Sequence, residues 1–278
     1  MIIATLLPFY RIHEINEYFI KNSNLINAKE KIIYVDNVYN EKQYSLLRQL
    51  FDGLEIKVGN WRSIGGAYLS ILEDIQNFNE TLVIDSDNLL DEDFLVVHNN
   101  IKGDIYTITE HSSWNSKNNM ERSRKIGSIN SGNFERPLMA YKVYSPKLRQ
   151  LGSNFSIGPK QAVIFRKPID LEILMNVKAA FDDVPAELRS FISDESLLGI
   201  IVYLSGYKEI PWTVATTHVH HGSLPAASRI RKVLVAEAYY RFAKSLQRHL
   251  KEYKIDKELM RFKLRYEMLL IKNLKTMF

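Results

Sequence analysis

Over its first 110 residues the chain alternates short apolar runs of β-branched and aliphatic residues with stretches whose apolar positions recur every three or four residues. The runs MIIATLL, KIIYVDN, LEIKV, TLVID and DIYTIT have the length and composition of strands. The stretch from about His13 to Lys21 and the segments EKQYSLLRQLF, AYLSILEDIQ and EDFLVVH have helical spacing. Strands separated by helices of this length predict parallel βαβ units with right-handed crossovers. In such sheets ligands bind beyond the carboxyl ends of the strands. Asp36-Asn37, the turn at Gly65-Gly66, and Asp85 and Asp87 are then expected along one edge.

From Glu110 to Gly158 the pattern gives way to a polar stretch rich in Ser and Asn, which is expected to be a long functional loop. Regular structure resumes in QAVIFRKPIDLEILM, a strand and then a helix opened by Pro168. A helix is expected from Asp194 to Leu204, stopped at Gly206 and followed by a short strand. From Ala226 onward the pattern is helical, with a break near KEYKIDKE. The expected division is a catalytic domain over 1–225 and a basic helical extension over 226–278.

With 278 residues, 46% hydrophobic and 25% charged, the chain can bury a large core and is not of disordered composition. Cysteine is absent, which excludes disulfides, zinc-thiolate sites and cysteine nucleophiles, so any metal must bind through oxygen or imidazole. The apolar start MIIATLL lacks a basic leader and breaks at Pro8, so it reads as a strand rather than a signal peptide. No run approaches the roughly 18 apolar residues of a membrane span, and a cytoplasmic location is expected.

The net charge of +5 is uneven: from Ser228 to Phe278, 14 Lys/Arg stand against 5 Asp/Glu, and before that 23 stand against 27. In this tail Val233, Ala236, Tyr240 and Phe242 to Leu246 form one apolar stripe, and Leu259, Phe262, Tyr266, Leu269 and Leu270 another. Such stripes suit docking on the chain's own domain, a homodimer, or peripheral attachment to an anionic inner membrane surface. No recognition motif accompanies the charge, so nucleic acid is not an expected partner.

TLVIDSDNLL sends a buried strand into Asp85-Ser86-Asp87. Strand termination and helix capping explain such residues cheaply. Chemically, the two carboxylates suit a hard cation such as Mg²⁺ or Mn²⁺ whose shell is completed by phosphates. THVHHG brings His218, His220 and His221 beside Gly222, and His220 is the candidate additional metal ligand. Asp194-Glu195 opens a helix, where the macrodipole favours carboxylates and where one of them can also serve as a general base. Asp36 and Asn37 end a strand and can hydrogen-bond a nucleoside. In NWRSIGGAY, Arg62 and the backbone at Gly65 can meet an anion at a helix start, although neither a P-loop ending nor a dinucleotide spacing is present.

Taken in order, the first strand ending LLP, an Asp closing the second strand, a glycine turn, a strand ending Asp-X-Asp, and an acidic pair before a helix ending SGYKEIPW resemble a GT-A glycosyltransferase. The resemblance covers Met1 to Gly222. It is to family 2-like enzymes or to a retaining branch similar to mannosylglycerate and glucosylphosphoglycerate synthases. It implies an α/β, Rossmann-like, mixed but mostly parallel sheet flanked by helices, with the tail as a helical addition. It also implies a hexosyltransferase that uses a nucleotide diphosphate sugar, a divalent cation, and an acceptor that is a glycan, a lipid-linked molecule or a small phosphorylated one. On this resemblance Leu7, Pro8, Asp36, Arg62, Gly65, Asp85, Ser86 and Asp87 bind the donor; Asp85, Asp87 and His220 hold the metal; and Asp194 or Glu195 is the catalytic base if the anomeric centre is inverted, or positions the acceptor if it is retained. The acidic pair reads Asp-Glu here, where the family more often has Glu-Asp. Two alternatives are a non-catalytic sugar-nucleotide or glycan-binding protein of the same fold, and a nucleotidyltransferase. TLLPFYRIHE lacks the glycine-rich basic loop of the latter.

Overall fold

The computed structural model describes residues 1–91, 94–100, 103–110, 162–205, 212–218 and 229–250. Strand β1 (Ile2–Pro8) lies between β2 (Glu30–Asp36) and β4 (Thr81–Asp85), parallel to both, and β3 (Glu55–Gly59) extends the sheet beyond β2 in the same sense. Successive residues of these strands face opposite layers. Ile2, Ala4, Ile32, Tyr34 and Val83 join one buried cluster, while Ile3, Leu7, Ile33, Val35, Leu82 and Ile84 join the other. Both faces are covered, which is why these strands read as continuous apolar runs.

The order across the sheet is β3-β2-β1-β4-β7-β6-β8-β5, with β5 (Asn88–Leu90), β6 (Ile105–Glu110), β7 (Ala162–Phe165) and β8 (Trp212–His218). The expected parallel arrangement holds for β1 to β4 and for the pairing of β6 with β8. By contrast, β7 runs antiparallel to both β4 and β6, and β5 antiparallel to β8. A four-residue buried run such as AVIF carries no mark of direction, because its backbone pairs either way. The sheet is therefore mixed and flanked by helices, in an α/β arrangement.

On one face pack α3 (Ile64–Ile75), α5 (Leu171–Asp182), α7 (Asp194–Leu204) and α8 (Arg229–His249), through Leu72, Val177, Leu198 and Phe242 among others. The other face is covered by Phe19, just before α1 (Ile20–Leu25), by Leu47 of α2 (Glu41–Leu50) and by Phe94 of α4 (Phe94–Asn100). A single turn, α6 (Ala186–Arg189), separates α5 from α7. The apolar face of α8 is spent on the chain's own core: Ala238, Tyr239, Phe242, Ala243 and Leu246 are all buried there. The second stripe, from Leu259 to Leu270, lies outside the described residues, as do most of the polar stretch from 110 to 158 and the helix stop at Gly206.

Four local features differ from the sequence expectation. Helix α5 opens at Leu171 with Asp170 as its N-cap, accepting from the Ile173 N–H at 3.1 Å, rather than at Pro168. The helix expected over His13 to Lys21 is a 3₁₀ turn at Phe9–Arg11, a π-helical turn at Ile15–Phe19, and then α1. Helix α3 starts before the glycine pair rather than after it: Ser63 is its N-cap, accepting from the Gly66 N–H at 3.0 Å, so Gly65 and Gly66 lie in its first turn. Beyond Asp87 the chain forms the short β5 before its helix. Asn22 holds β5 in place, donating to the Asn88 carbonyl at 2.8 Å and accepting from the Leu90 N–H at 2.9 Å.

Candidate active site

Register brings the strand ends together. Pro8 pairs with Asp36, so β1 and β2 end level, and Asp85 closes β4 opposite Leu6, two residues lower on the same edge. Beyond them opens a cleft of about 510 Å³. Leu7 and Pro8 line it from β1, Asp36 and Asn37 from the end of β2, Asp85, Ser86 and Asp87 from the β4–β5 turn, and Asp194 from the start of α7. Tyr10 and Ile64 form part of its rim and are 76% and 67% exposed.

The acidic turn is anchored from the segment after β1. Arg11 donates through Nη2 to Asp87 Oδ2 at 2.8 Å and through Nε to Glu14 Oε1 at 2.5 Å. Glu14 is 1% exposed, and its second oxygen accepts the Ser86 hydroxyl at 2.5 Å. Asn88 Nδ2 donates to the other oxygen of Asp87 at 3.1 Å. Partial burial works against the Arg11 cation, but hydrogen bonds and charge attraction from Asp87 and Glu14 outweigh it and hold the guanidinium above its ordinary value. Asp36 is committed through one oxygen to the Trp61 N–H at 3.0 Å. Trp61 in turn lies so close over Gly59 that any Cβ there would meet the indole at 2.6 Å.

The Asp194 end is anchored from α8. The Tyr239 hydroxyl on α8 accepts the Ser193 N–H at 3.1 Å and lies 2.8 Å from Ser196 Oγ, while Ser193 Oγ accepts the Ser196 N–H at 3.2 Å. The residue before α7 is thus fixed by a cap and by a tyrosine 46 positions away.

Not every sequence candidate meets at the cleft. Arg62 has a positive φ of 57° and an exposed side chain, and it is not among the cleft residues. Gly65 is buried against α7, where an added Cβ would stand 2.9 Å from Leu197 Cδ1 and 3.2 Å from the Ile192 carbonyl, so its small size serves packing. Glu195 is the second residue of α7. β8 ends with His218 opposite Asn88, one residue past Asp87. His220 and His221 lie outside the described residues. Arg11, Glu14, Ser193 and Tyr239 were not singled out from the sequence. The first two carried a signal in Arg-x-x-Glu straight after a strand whose end was already assigned to the ligand edge.

As a metal site, the turn has the right chemistry in part. Asp85 and Asp87 are hard oxygen donors at the cleft, which suits Mg²⁺ or Mn²⁺ held by one or two carboxylates and by phosphates. Among the described residues no group of three or more His, Asp or Glu forms a complete cage. No described helix is long and apolar enough to cross a membrane.

No family model matches the chain, and no curated protein matches it. Among solved structures it is similar to the galactosyltransferase LgtC in complex with donor and acceptor sugar analogs, at 10% identity and a TM-score of 0.46 over 89% of this chain and 96% of that one. It is also similar to residues 1–349 of TarS from S. aureus, at 12% identity and a TM-score of 0.41 over 98% and 81% of the two chains. A third likeness is to a Bacillus anthracis protein assigned as a glucose-1-phosphate thymidylyltransferase, in complex with a sucrose, at 11% identity and a TM-score of 0.42 over 93% and 98%. The chain spans 46% of a longer TarS structure. At this identity and overlap, these likenesses carry no reaction or residue role across to this chain.

Proposed function

We propose that this protein is a metal-dependent glycosyltransferase that moves a hexose from a nucleotide diphosphate sugar to an acceptor hydroxyl. The observation that supports this reading best is the convergence of Asp36, Asp85, Asp87 and Asp194, from three separate parts of the fold, on one cleft at the carboxyl edge of the parallel strands. Leu7, Pro8, Asp36 and Asn37 take the nucleoside end, with apolar contact from the strand end and hydrogen bonds from the Asp-Asn pair. Asp85 and Asp87 hold the cation, with His220 as a further ligand, and the pairing of His218 with Asn88 supports bringing that segment to the turn. When bound, the cation neutralises charge developing on the departing nucleoside diphosphate. Asp194, with Glu195 beside it in sequence, orients the acceptor hydroxyl and, where the anomeric centre is inverted, accepts its proton. Ser193 and Tyr239 keep the start of that helix in position.

A panel of sugar nucleotides with Mn²⁺ or Mg²⁺, assayed for nucleoside diphosphate release, tests the reaction. Wild type is expected to release it from one donor class only in the presence of metal. Asp87→Ala is expected to remain folded and lose release by about a hundredfold or more, as removal of a group stabilising developing charge does elsewhere. Full activity of Asp87→Ala in excess chelator would overturn the reading. Tight binding of a sugar nucleotide without release would make the protein a binding module.

A further inference from the structure

The Asp87 carboxylate is only 13% exposed, and both of its oxygens are engaged, one by Arg11 and the other by Asn88. A cation arriving at Asp87 must therefore share or displace the Arg11 contact. The other side of the Arg11 guanidinium is held more firmly, since Nε is 2.5 Å from Glu14 Oε1, a carboxylate with almost no solvent to compete for it. Glu14 also takes the Ser86 hydroxyl, so one buried carboxylate fixes both the cationic side chain and the acidic turn. Arg11 itself lines the cleft.

We propose that Arg11 is a diphosphate ligand that serves as the counter-ion of Asp87 while no donor is bound, with Glu14 holding it through the exchange. This inference rests on the donor-binding reading of the cleft. A guanidinium carries five donors in a rigid plane. Rotation of its outer edge away from Asp87, with Nε kept on Glu14, frees donors beside the carboxylate that the cation takes over. The oxygens of a diphosphate bound to that cation are the acceptors within reach, and Arg–phosphate hydrogen bonds are charge-assisted. Without Arg11, Asp85 and Asp87 would meet an incoming polyanion without its positive charge beside them. The same contact opposes binding of a cation alone and favours binding of a cation with diphosphate, so Arg11 ties metal capture to donor capture.

Calorimetric titration of wild type, Arg11→Met and Arg11→Lys in the full chain tests this. The probes are Mn²⁺ alone, and inorganic pyrophosphate at saturating Mn²⁺. For Arg11→Met, Mn²⁺ alone is expected to bind at least as tightly as to wild type, while pyrophosphate weakens by about tenfold or more. Arg11→Lys, which keeps the charge and loses the fork, is expected to fall between the two and provides the reading if the Met variant does not fold. Unchanged pyrophosphate affinity in the variants would overturn the inference, as would equal weakening of both ligands, which marks a purely structural ion pair. If wild type binds neither probe, the donor-binding reading fails and takes the inference with it. If wild type binds both and the variants do not differ from it, the inference alone fails.

Discussion

Two sets of acidic residues border the cleft, and they are held by different means. The Asp85–Asp87 turn is tied down by ionic contacts from residues 11 to 14, with Glu14 buried between Arg11 and Ser86. Asp194 follows a cap made of neutral hydroxyls, Ser193 and Ser196 with Tyr239 of α8. A buried carboxylate loses much when its partner is removed, whereas a hydroxyl cluster loses roughly one hydrogen bond at a time. The Asp85–Asp87 end of the cleft is therefore built to be rigid and charge-dependent. The Asp194 end depends on whether α8 is docked.

The largest effect is expected at Glu14. Glu14→Ala leaves the Arg11 Nε–H and the Ser86 hydroxyl without their shared acceptor. Breaking a buried ion pair in this way costs about 3–5 kcal/mol, and the low end applies because Arg11 is partly exposed. Glu14→Gln keeps the shape and one acceptor and is expected to lose about half as much. Urea unfolding of both variants measures the difference. A loss for Glu14→Ala no larger than that of an ordinary surface substitution would show that the turn is held by other contacts.

A smaller loss is expected at the other end. Tyr239→Phe keeps the ring in the core and removes the hydroxyl that meets Ser193 and Ser196, at a cost of about 1–2 kcal/mol. If the hydroxyl positions Asp194, the same variant is expected to lower turnover more than it raises the apparent KM for the donor, because the proposed reading puts the donor at the Asp36 and Asp85–Asp87 end of the cleft. Equal changes in donor affinity and turnover would remove the distinction between the two ends.

The two ends also differed in how far they could be read from sequence. The strands β1 to β4, their common carboxyl edge and the Asp-X-Asp turn were legible because each is a local pattern: an apolar run followed by a short polar stop. Asp194 at the start of a helix was legible for the same reason. The partners that hold these residues were not, since the Tyr239 hydroxyl reaches Ser193 across 46 positions and Arg11 reaches Asp87 across 76. The glycine pair misled in an instructive way. Gly65 suggested an anion-binding turn, but it lies in the first turn of α3, where an added Cβ would crowd Leu197 Cδ1 and the Ile192 carbonyl. The direction of β7 was illegible because apolar runs pair either way.

The smallest effect sharpens the claim that α8 docking supports the Asp194 end. Asp183, at the carboxyl end of α5, accepts hydrogen bonds from Ser245, from His249 at 2.9 Å and from Arg248 at 3.2 Å, all on α8. The Ser245 hydroxyl, followed by His249, holds its carboxyl below the usual carboxylate range. A carboxylate with a depressed folded value adds stability that is fully present above its unfolded value of 3.8, and that is lost as pH falls through the lower folded value. The side chain is 41% exposed, so solvent and salt screen the interaction and its worth stays under about 1 kcal/mol. Asp183→Asn is therefore expected to lower stability slightly near neutrality and to match wild type once the pH is well below the carboxylate range. The gap between the two unfolding curves should also shrink in high salt. Urea midpoints for both proteins across the acid range measure this gap. A gap that stays constant with pH would assign the contact to packing rather than to charge. The docking of α8 would then rest on its apolar face and Tyr239 alone.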